Sequence, residues 1–294
     1  MRVVCVGEAM IELSTDGTNA SLGVAGDTLN TAIYLKRTEP QLDVQYVTAL
    51  GDDSFSKRIL SFMEHHNIGT SVCQVIEGKS PGLYAIETDE FGERSFTYWR
   101  SASAAREMFQ ISGAVDFSAL DGADVIYLSA ISLAILPQEV RDGLYTYLTQ
   151  SPASLAFDSN YRPLLWEDQE TAQRVISSFW AISEICLPSI DDEMNLFNET
   201  ADQVQDRFLG MSKSGALKRG ETGPFSLHNI TEDLVFAPAP KVVDSTAAGD
   251  SFNGGYLGSI LSGSTQSDAL QAAHKLASHV IGYRGAIVPE QVDC

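Results

Sequence analysis

The sequence predicts an α/β fold in which a mainly parallel sheet is covered by helices and a smaller β-sheet stands beside it. Three observations carry that prediction. Short β-branched runs alternate with helical apolar spacing along most of the chain. Polar residues gather just beyond the ends of those runs. The stretch from Pro81 to Arg100 breaks the alternation with two strand-like segments around an acidic, Gly-containing turn. At 294 residues the chain is long for one compact core but ordinary for an α/β domain with an inserted subdomain.

In chain order, the candidate strands of the parallel sheet are 3–6, 44–49, 125–128, 155–157 and 185–187. They run into Gly7-Glu8, Gly51-Asp52, Ser129, Asp158 with Asn160 and Arg162, and Ser189 with Asp191 and Asp192. In open α/β sheets, ligands bind at that edge. Segments 83–88 and 94–99 flank the turn 89–93 and, with 10–14, would make the small separate sheet. An edge hairpin with no moving role fits the same residues. The segment 268–281 has helical apolar spacing and reads as core, with His274 and His279 solvated or satisfied rather than ligands. There is no internal repeat, low-complexity tract or flexible linker.

A net charge of −20 argues against nucleic acid or an anionic membrane as partner, since both need basic surface. An anionic small molecule is still compatible, because charges beyond roughly 8 Å are largely screened at physiological salt. The expectation that follows is a locally positive cleft built from among Arg100, Arg162, Lys218 and Arg219. No segment is apolar enough to span a bilayer, and Met1-Arg2 leads straight into a strand and then Glu8 rather than a secretory signal, so a cytoplasmic protein is expected. Cys5, Cys73, Cys186 and Cys294 are scattered, without CxxC or metal-ligand spacing, and read as buried or incidental thiols. The sequons at Asn198 and Asn229 carry little weight in such a chain.

The most informative run is 244–250, Asp-Ser-Thr-Ala-Ala-Gly-Asp, ahead of a helix-like stretch. Small residues before a helix start let backbone N–H groups converge on an anion. Asp250 in that spot suits a base beside an anion hole, as phosphoryl transfer to a hydroxyl requires. A plain helix cap suits the same spacing.

This run resembles the C-terminal signature of the ribokinase-like (PfkB) carbohydrate kinases, Asp-Thr-x-Gly-Ala-Gly-Asp. Ala247 stands where most members have Gly, which is tolerable if its backbone does not need positive φ. Residues 25–32 are similar to the family's sugar-binding motif, with Ala25 for the usual first Gly. Segments 7–13, 81–84, 98–100, 160–163, 218–220 and 283–286 together resemble the 2-keto-3-deoxygluconate kinases within that family. The similarity runs in order over essentially the whole chain.

The resemblance implies a ribokinase-like three-layer α/β/α sandwich over 1–294. Its small β-sheet lid, from about 9–22 and 72–100, would cover the sugar and offer a homodimer contact. It also implies ATP-dependent phosphorylation of 2-keto-3-deoxygluconate to the 6-phosphate, with Mg2+. Asp250 would be the general base, and N–H groups of Ala247, Ala248 and Gly249 would stabilise the phosphoryl oxygens. Arg100 and Arg162, with Tyr84 and Tyr98, would hold the sugar acid, while Gly26, Asp27 and Asn30 meet its hydroxyls. Asn160, Arg162, Lys218, Gly220 and Gly223 would serve the nucleotide together with Ala248 and Gly249. No metal ligand is assigned: Asp191-Asp192-Glu193 occupies the place of an Asn-x-x-Glu motif whose Asn is replaced by Ser189, and a helix N-terminus explains the cluster equally.

Alternatives within the class are a fructokinase or ribokinase, and outside it a non-catalytic sugar-binding sensor on the same fold. Without the resemblance, Tyr98-Trp99-Arg100 suits a strand end with surface aromatics. A nicotinamide dehydrogenase is unsupported, because GxGxxG is missing after the first strand; no GxxxxGK[ST] occurs either. Two segments are short for this family. Residues 213–217 hold two apolar residues where a central strand would want roughly five, and 150–154 is brief for a helix-to-strand connection. Either the elements are trimmed or residues are absent there.

Overall fold

The computed structural model describes residues 1–16, 19–88, 94–111, 113–227 and 234–289. The strands of its two principal sheets are, in chain order, β1 (Arg2–Val6), β2 (Met10–Asp16), β3 (Asn19–Ala25), β4 (Asp43–Val47), β5 (Leu83–Thr88) and β6 (Arg94–Trp99). They continue with β7 (Val125–Ser129), β8 (Ser154–Asp158), β9 (Ile185–Leu187), β10 (Ser214–Leu217) and β11 (Phe225–Ser226). The helices are α1 (Asp27–Thr38), α2 (Ser54–His65), α3 (Ala130–Ala134), α4 (Gln138–Gln150), α5 (Gln169–Ile182), α6 (Ile190–Phe197), α7 (Ala201–Gly210), α8 (Ala248–Leu261) and α9 (Gln266–Val280).

The central sheet has seven strands in the order β11-β10-β9-β8-β7-β1-β4, parallel except for the last pairing of β10 with β11. β7 is buried along its whole length, as a parallel strand covered on both faces should be. Period-two alternation then sorts its neighbours into two layers. Val3 and Cys5 of β1 pack toward Leu29 and Ile33 of α1 and Phe252 and Leu257 of α8. Val4 and Val6 pack toward Leu144 of α4 and Val175 and Phe179 of α5. Side-chain caps at Asp53, Asp168, Thr200 and Thr265 satisfy orphan N–H groups and fix where α2, α5, α7 and α9 begin.

α8 is different, being apolar around its circumference and buried from Ser251 to Ser259. Its contact with α1 is close because Gly254 faces it: a Cβ there would lie 2.6 Å from Tyr34 Cβ and 2.7 Å from the Thr31 carbonyl oxygen. Thr31 Oγ1 donates to the Asp250 carbonyl across this contact, at 3.2 Å.

Three expectations are adjusted. The run 44–49 is interrupted: β4 ends at Val47, and Ala49–Leu50 pairs separately with Gln74–Val75. The short 213–217 region forms β10 because Gly215, at φ 132°, lets the chain pass within a would-be Cβ distance of 1.8 Å of the Cys186 carbonyl oxygen. Ser154, just after the brief connection, enters register opposite Val125. β10 is thus a four-residue strand, while β8 runs five residues, as β1 and β7 do.

The second sheet has the order β3-β2-β5-β6, with β2 parallel to β5 and the outer pairs antiparallel. It buries Met10, Ala25, Tyr84 and Ile86 against Ala286 and leaves Trp99 on the β6 edge 58% exposed. The predicted turn 89–93, Asn229 and Cys294 lie outside the described residues. Cys5 and Cys186 are free and buried, Cys73 free and half-buried, and burial pushes the Cys73 and Cys186 thiols up to about 12. Among the described residues, no helix is long and apolar enough to cross a membrane.

Candidate active site

A cleft of about 1120 Å³ opens between the carboxyl edge of the central sheet, the N-termini of α1, α6 and α8, and the small sheet. α1 contributes Gly26, Asp27 and Asn30; the small sheet and the residue after it contribute Tyr84, Tyr98 and Arg100. The strand ends contribute Asn160, Arg162, Lys218 and Gly220, and the start of α8 contributes Ala247, Ala248, Gly249 and Asp250. Gly223 is the predicted residue left out. It is buried at φ 83°, where a Cβ would sit 2.6 Å from the Phe236 ring, so its missing side chain serves packing below the rim.

Asp250 lies in the first turn of α8, and its Oδ2 accepts a hydrogen bond from Asn30 Nδ2 at 2.8 Å. No side-chain cap starts this helix. The cap is Ala247 at φ 60°, ψ 15°, in the left-handed region that Gly would occupy without cost. The condition set by the Gly-to-Ala change, a backbone free of positive φ, is thus not met. The turn also redirects one donor: Ala248 N–H reaches the Ser245 carbonyl at 3.2 Å. Among the described residues, no backbone carbonyl accepts from the N–H groups of Ala247, Gly249 and Asp250. The donor that sequence reasoning missed is Asp250's own N–H; the left-handed cap, invisible in a run of small residues, decides this.

Every arginine or lysine facing the cleft is already engaged. Arg100 is ion-paired with Glu8, both buried. Arg162 Nη1 lies 3.2 Å from Asp192 Oδ1, and Lys218 Nζ lies 2.6 Å from Asp158 Oδ1. Arg219 Nε donates to the Gly223 carbonyl at 3.1 Å and its guanidinium stacks over Phe225. Against these four cations stand the carboxyl groups of Asp27, Asp158, Asp191, Asp192 and Glu221, with Asp250 at their centre. The locally positive cleft expected from sequence is therefore corrected: carboxyl groups outnumber cations, and Arg100, Arg162 and Lys218 each already face a counter-charge. Of the acidic run at the start of α6, Glu193 turns into the core, accepting from Trp180 Nε1 at 3.2 Å and from Arg207 at 2.9 Å.

This setting acts on Asp250. Burial, then the nearby Asp27 carboxylate, raise its pKa from 3.8 to about 8; Asn30 and Lys218 pull the other way, while Asp158 adds to the rise. Asp27 is itself held, by Ser129 Oγ in a short hydrogen bond and by Asn160 Nδ2 at 2.8 Å. Two residues outside the sequence-based set matter here: Asp158 lines the cleft, and Asn253 is buried beneath it. Asp158 and Asn253 bond each other and together grip Lys218.

The Asp250 carboxyl thus lies beside helix N–H groups that lack backbone acceptors, at the sheet edge and next to the small sheet. The chain matches the family described as pfkB family carbohydrate kinase over residues 1–293. A 2-dehydro-3-deoxygluconokinase of Dickeya dadantii (strain 3937) is 44% identical, covering 98% of this chain and 96% of its own. The Escherichia coli (strain K12) protein of the same name is 41% identical over 99% and 98%. Among solved structures, a Thermotoga maritima 2-dehydro-3-deoxygluconokinase superposes with TM-score 0.79 at 19% identity, covering 98% of this chain and 96% of that one. A Vibrio cholerae fructokinase bound to fructose, ADP and calcium ion superposes with TM-score 0.81, also at 19%, over 97% and 94%. At such identity these structures speak to the fold, whereas the family match spans nearly the whole sequence: the chain belongs to the pfkB family of carbohydrate kinases.

Proposed function

We propose that the protein phosphorylates 2-keto-3-deoxygluconate (2-dehydro-3-deoxygluconate) at its 6-hydroxyl with ATP, in the cytoplasm. The observation that carries the chemistry is Asp250, held by Asn30 among unpaired N–H groups at the start of α8. The two relatives above 40% identity support the choice of substrate. Asp250 takes the hydroxyl proton as that oxygen bonds to the γ-phosphorus, the bond to the β–γ bridging oxygen breaks, and ADP leaves. The N–H groups of Ala247, Gly249 and Asp250 receive the charge that builds on the phosphoryl oxygens. Lys218 and Gly220, with Arg162 and Asn160, line the nucleotide side of this reading.

Magnesium fits as an ion carried in on the phosphates. Among the described residues no group of three or more His, Cys, Asp or Glu side chains could cage a metal, while the cleft's excess carboxylates favour a cation arriving with the nucleotide. Bound there, it would neutralise charge on the phosphates. The small sheet acts as the lid. Its edge strand β6 exposes Phe96, Tyr98 and Trp99, which supports pairing of two copies through the lids. Sedimentation at micromolar concentration is expected to give a dimer, and a monomer alone would remove that assembly.

Arg100 is assigned to the substrate carboxylate, which a guanidinium grips with two parallel hydrogen bonds. Deleting it would strand Glu8 in the interior, so the informative change is Arg100→Lys, which keeps the charge beside Glu8 and loses the fork. It is expected to raise KM for the sugar acid roughly 10- to 100-fold, a charged hydrogen bond's worth, while leaving KM for a neutral sugar nearly unchanged. Equal changes would take Arg100 out of this role. The deciding experiment for the function is ADP release with ATP and magnesium on 2-keto-3-deoxygluconate, fructose, ribose and gluconate. Preference for the keto-deoxy acid is expected. Turnover on fructose or ribose alone would replace the substrate, and none on any would favour a sugar sensor.

A further inference from the structure

Asn253 is fully buried in the middle of α8, where the helix is otherwise apolar. A buried amide is costly unless its groups are paired. Here both N–H bonds and the oxygen are used. Nδ2 donates to Asp158 Oδ2 at 2.9 Å and to Tyr127 Oη at 3.1 Å, and Oδ1 accepts from Lys218 Nζ at 3.1 Å. Asp158 Oδ1 takes a second bond from the same ammonium at 2.6 Å. Two oxygens, one from β8 and one from α8, therefore fix a side chain that is otherwise among the most mobile.

The ammonium they fix is not sealed in the core. Lys218 lines the cleft and is 13% exposed, and a Cβ built on Gly249 would stand 3.9 Å from its Nζ. That puts the charge beside the same turn whose N–H groups lack backbone acceptors. The other arm of Asn253 leads to the base: Tyr127 Oη lies 3.2 Å from Thr31 Oγ1, which donates to the Asp250 carbonyl at 3.2 Å. A simple buried ion pair of Lys218 with Asp158 would need neither the amide nor an opening to the cleft.

We propose that Asn253 is a positioning residue for phosphoryl transfer: it holds the Lys218 ammonium at the first turn of α8, where that charge meets the transferring phosphoryl group. This rests on the kinase reading above, but not on the identity of the sugar. Lys218→Met is expected to lower kcat about 100-fold, as loss of one preorganised donor does. Asn253→Ser leaves the ammonium present but loosely held, and should cost about tenfold in kcat with KM for the sugar within about twofold. Because the second change acts through the first residue, the double variant should be no slower than Lys218→Met alone.

A second readout separates positioning from a merely structural role. Asp250 is faced by Asp27, Asn30 and Tyr34 from α1, by Tyr84 from β5, by Tyr127 from β7, by Asp158 from β8 and by Lys218 after β10, and of these only Lys218 is a cation. Releasing the ammonium therefore moves the acid limb of kcat/KM to higher pH in both single variants. Asn253→Thr, closer in volume, replaces Asn253→Ser if the latter lacks a wild-type melt. Multiplied losses near 1000-fold in the double variant, or an Asn253 variant with wild-type kcat and an unmoved acid limb, would overturn the proposal. The comparison is made on whichever acceptor the wild type phosphorylates best, so turnover on fructose alone would sink the sugar-acid assignment and leave this test intact.

Discussion

Asp250→Asn is expected to reduce turnover by roughly 10²- to 10⁴-fold, the usual worth of a positioned base, while ATP binding and the fold persist. The amide is nearly isosteric, but it has no basic oxygen for the hydroxyl proton. Near-normal turnover would remove Asp250 as the base. The same group sets a pH dependence. Because its pKa is raised to about 8, most of the free protein carries a protonated Asp250 at neutral pH. kcat/KM should therefore climb about tenfold per pH unit toward a plateau above about 8. Asp27→Asn removes the nearby carboxylate that contributes to the rise and should shift that limb to lower pH.

Stability gives an independent check on the same carboxyl. Its folded pKa, about 8, lies above the ordinary 3.8, so folding takes up a proton between those values. The stability that protonated Asp250 contributes is fully present below about pH 4, falls as pH rises through the window, and is gone above about 8. An amide has no such dependence. The melting temperature of D250N relative to wild type should rise from pH 5 to pH 8 and then level off; a pH-independent difference would mean the carboxyl is ordinary.

Filling the α1–α8 contact is expected to have the second largest effect. Alanine is intrinsically better than glycine in a helix by about 1 kcal/mol. At Gly254 its methyl would meet Tyr34 Cβ at 2.6 Å and two backbone atoms at 2.7 Å, distances that force the helices apart. Overpacking of that kind typically costs about 1–3 kcal/mol. Gly254→Ala should therefore lower the melting temperature despite its better propensity, and Gly254→Val should do so severely. Activity should fall with it, since the Asn30–Asp250 and Thr31–Asp250 bonds cross the same contact. An unchanged melt for Gly254→Ala would show that the helices have slack.

What could be read from sequence divides along physical lines. The strands at 3–6, 125–128 and 185–187 were legible because burial on both faces demands unbroken apolar runs, and the hairpin segments 83–88 and 94–99 because their pattern differs from those runs. The break at Thr48 was not, since a short switch between sheets leaves the composition unchanged. The residues gathered in the cleft were visible through their motifs. Their pairing was not: nothing linear ties Arg100 to Glu8 or Lys218 to Asp158, so the cleft's charge came out with the wrong sign. Asn253 was hidden for a related reason. A lone Asn in an apolar helix has meaning only through the strand ends that face it.

The hydrogen bond between Asn30 and Asp250 joins residues 220 positions apart. On a ribosome, the strands β1, β4, β7 and β8 and the start of α1 all emerge before α8 exists. Domains fold largely as units during synthesis, and contacts so far apart close late. A nascent chain can thus form much of its sheet and still have no Asp250, no α8 N–H groups and no Asn253 to hold the Lys218 ammonium. Under the mechanism proposed above, a chain that stops short of α8 would lack all three, and phosphoryl transfer would wait until α8 docks against α1.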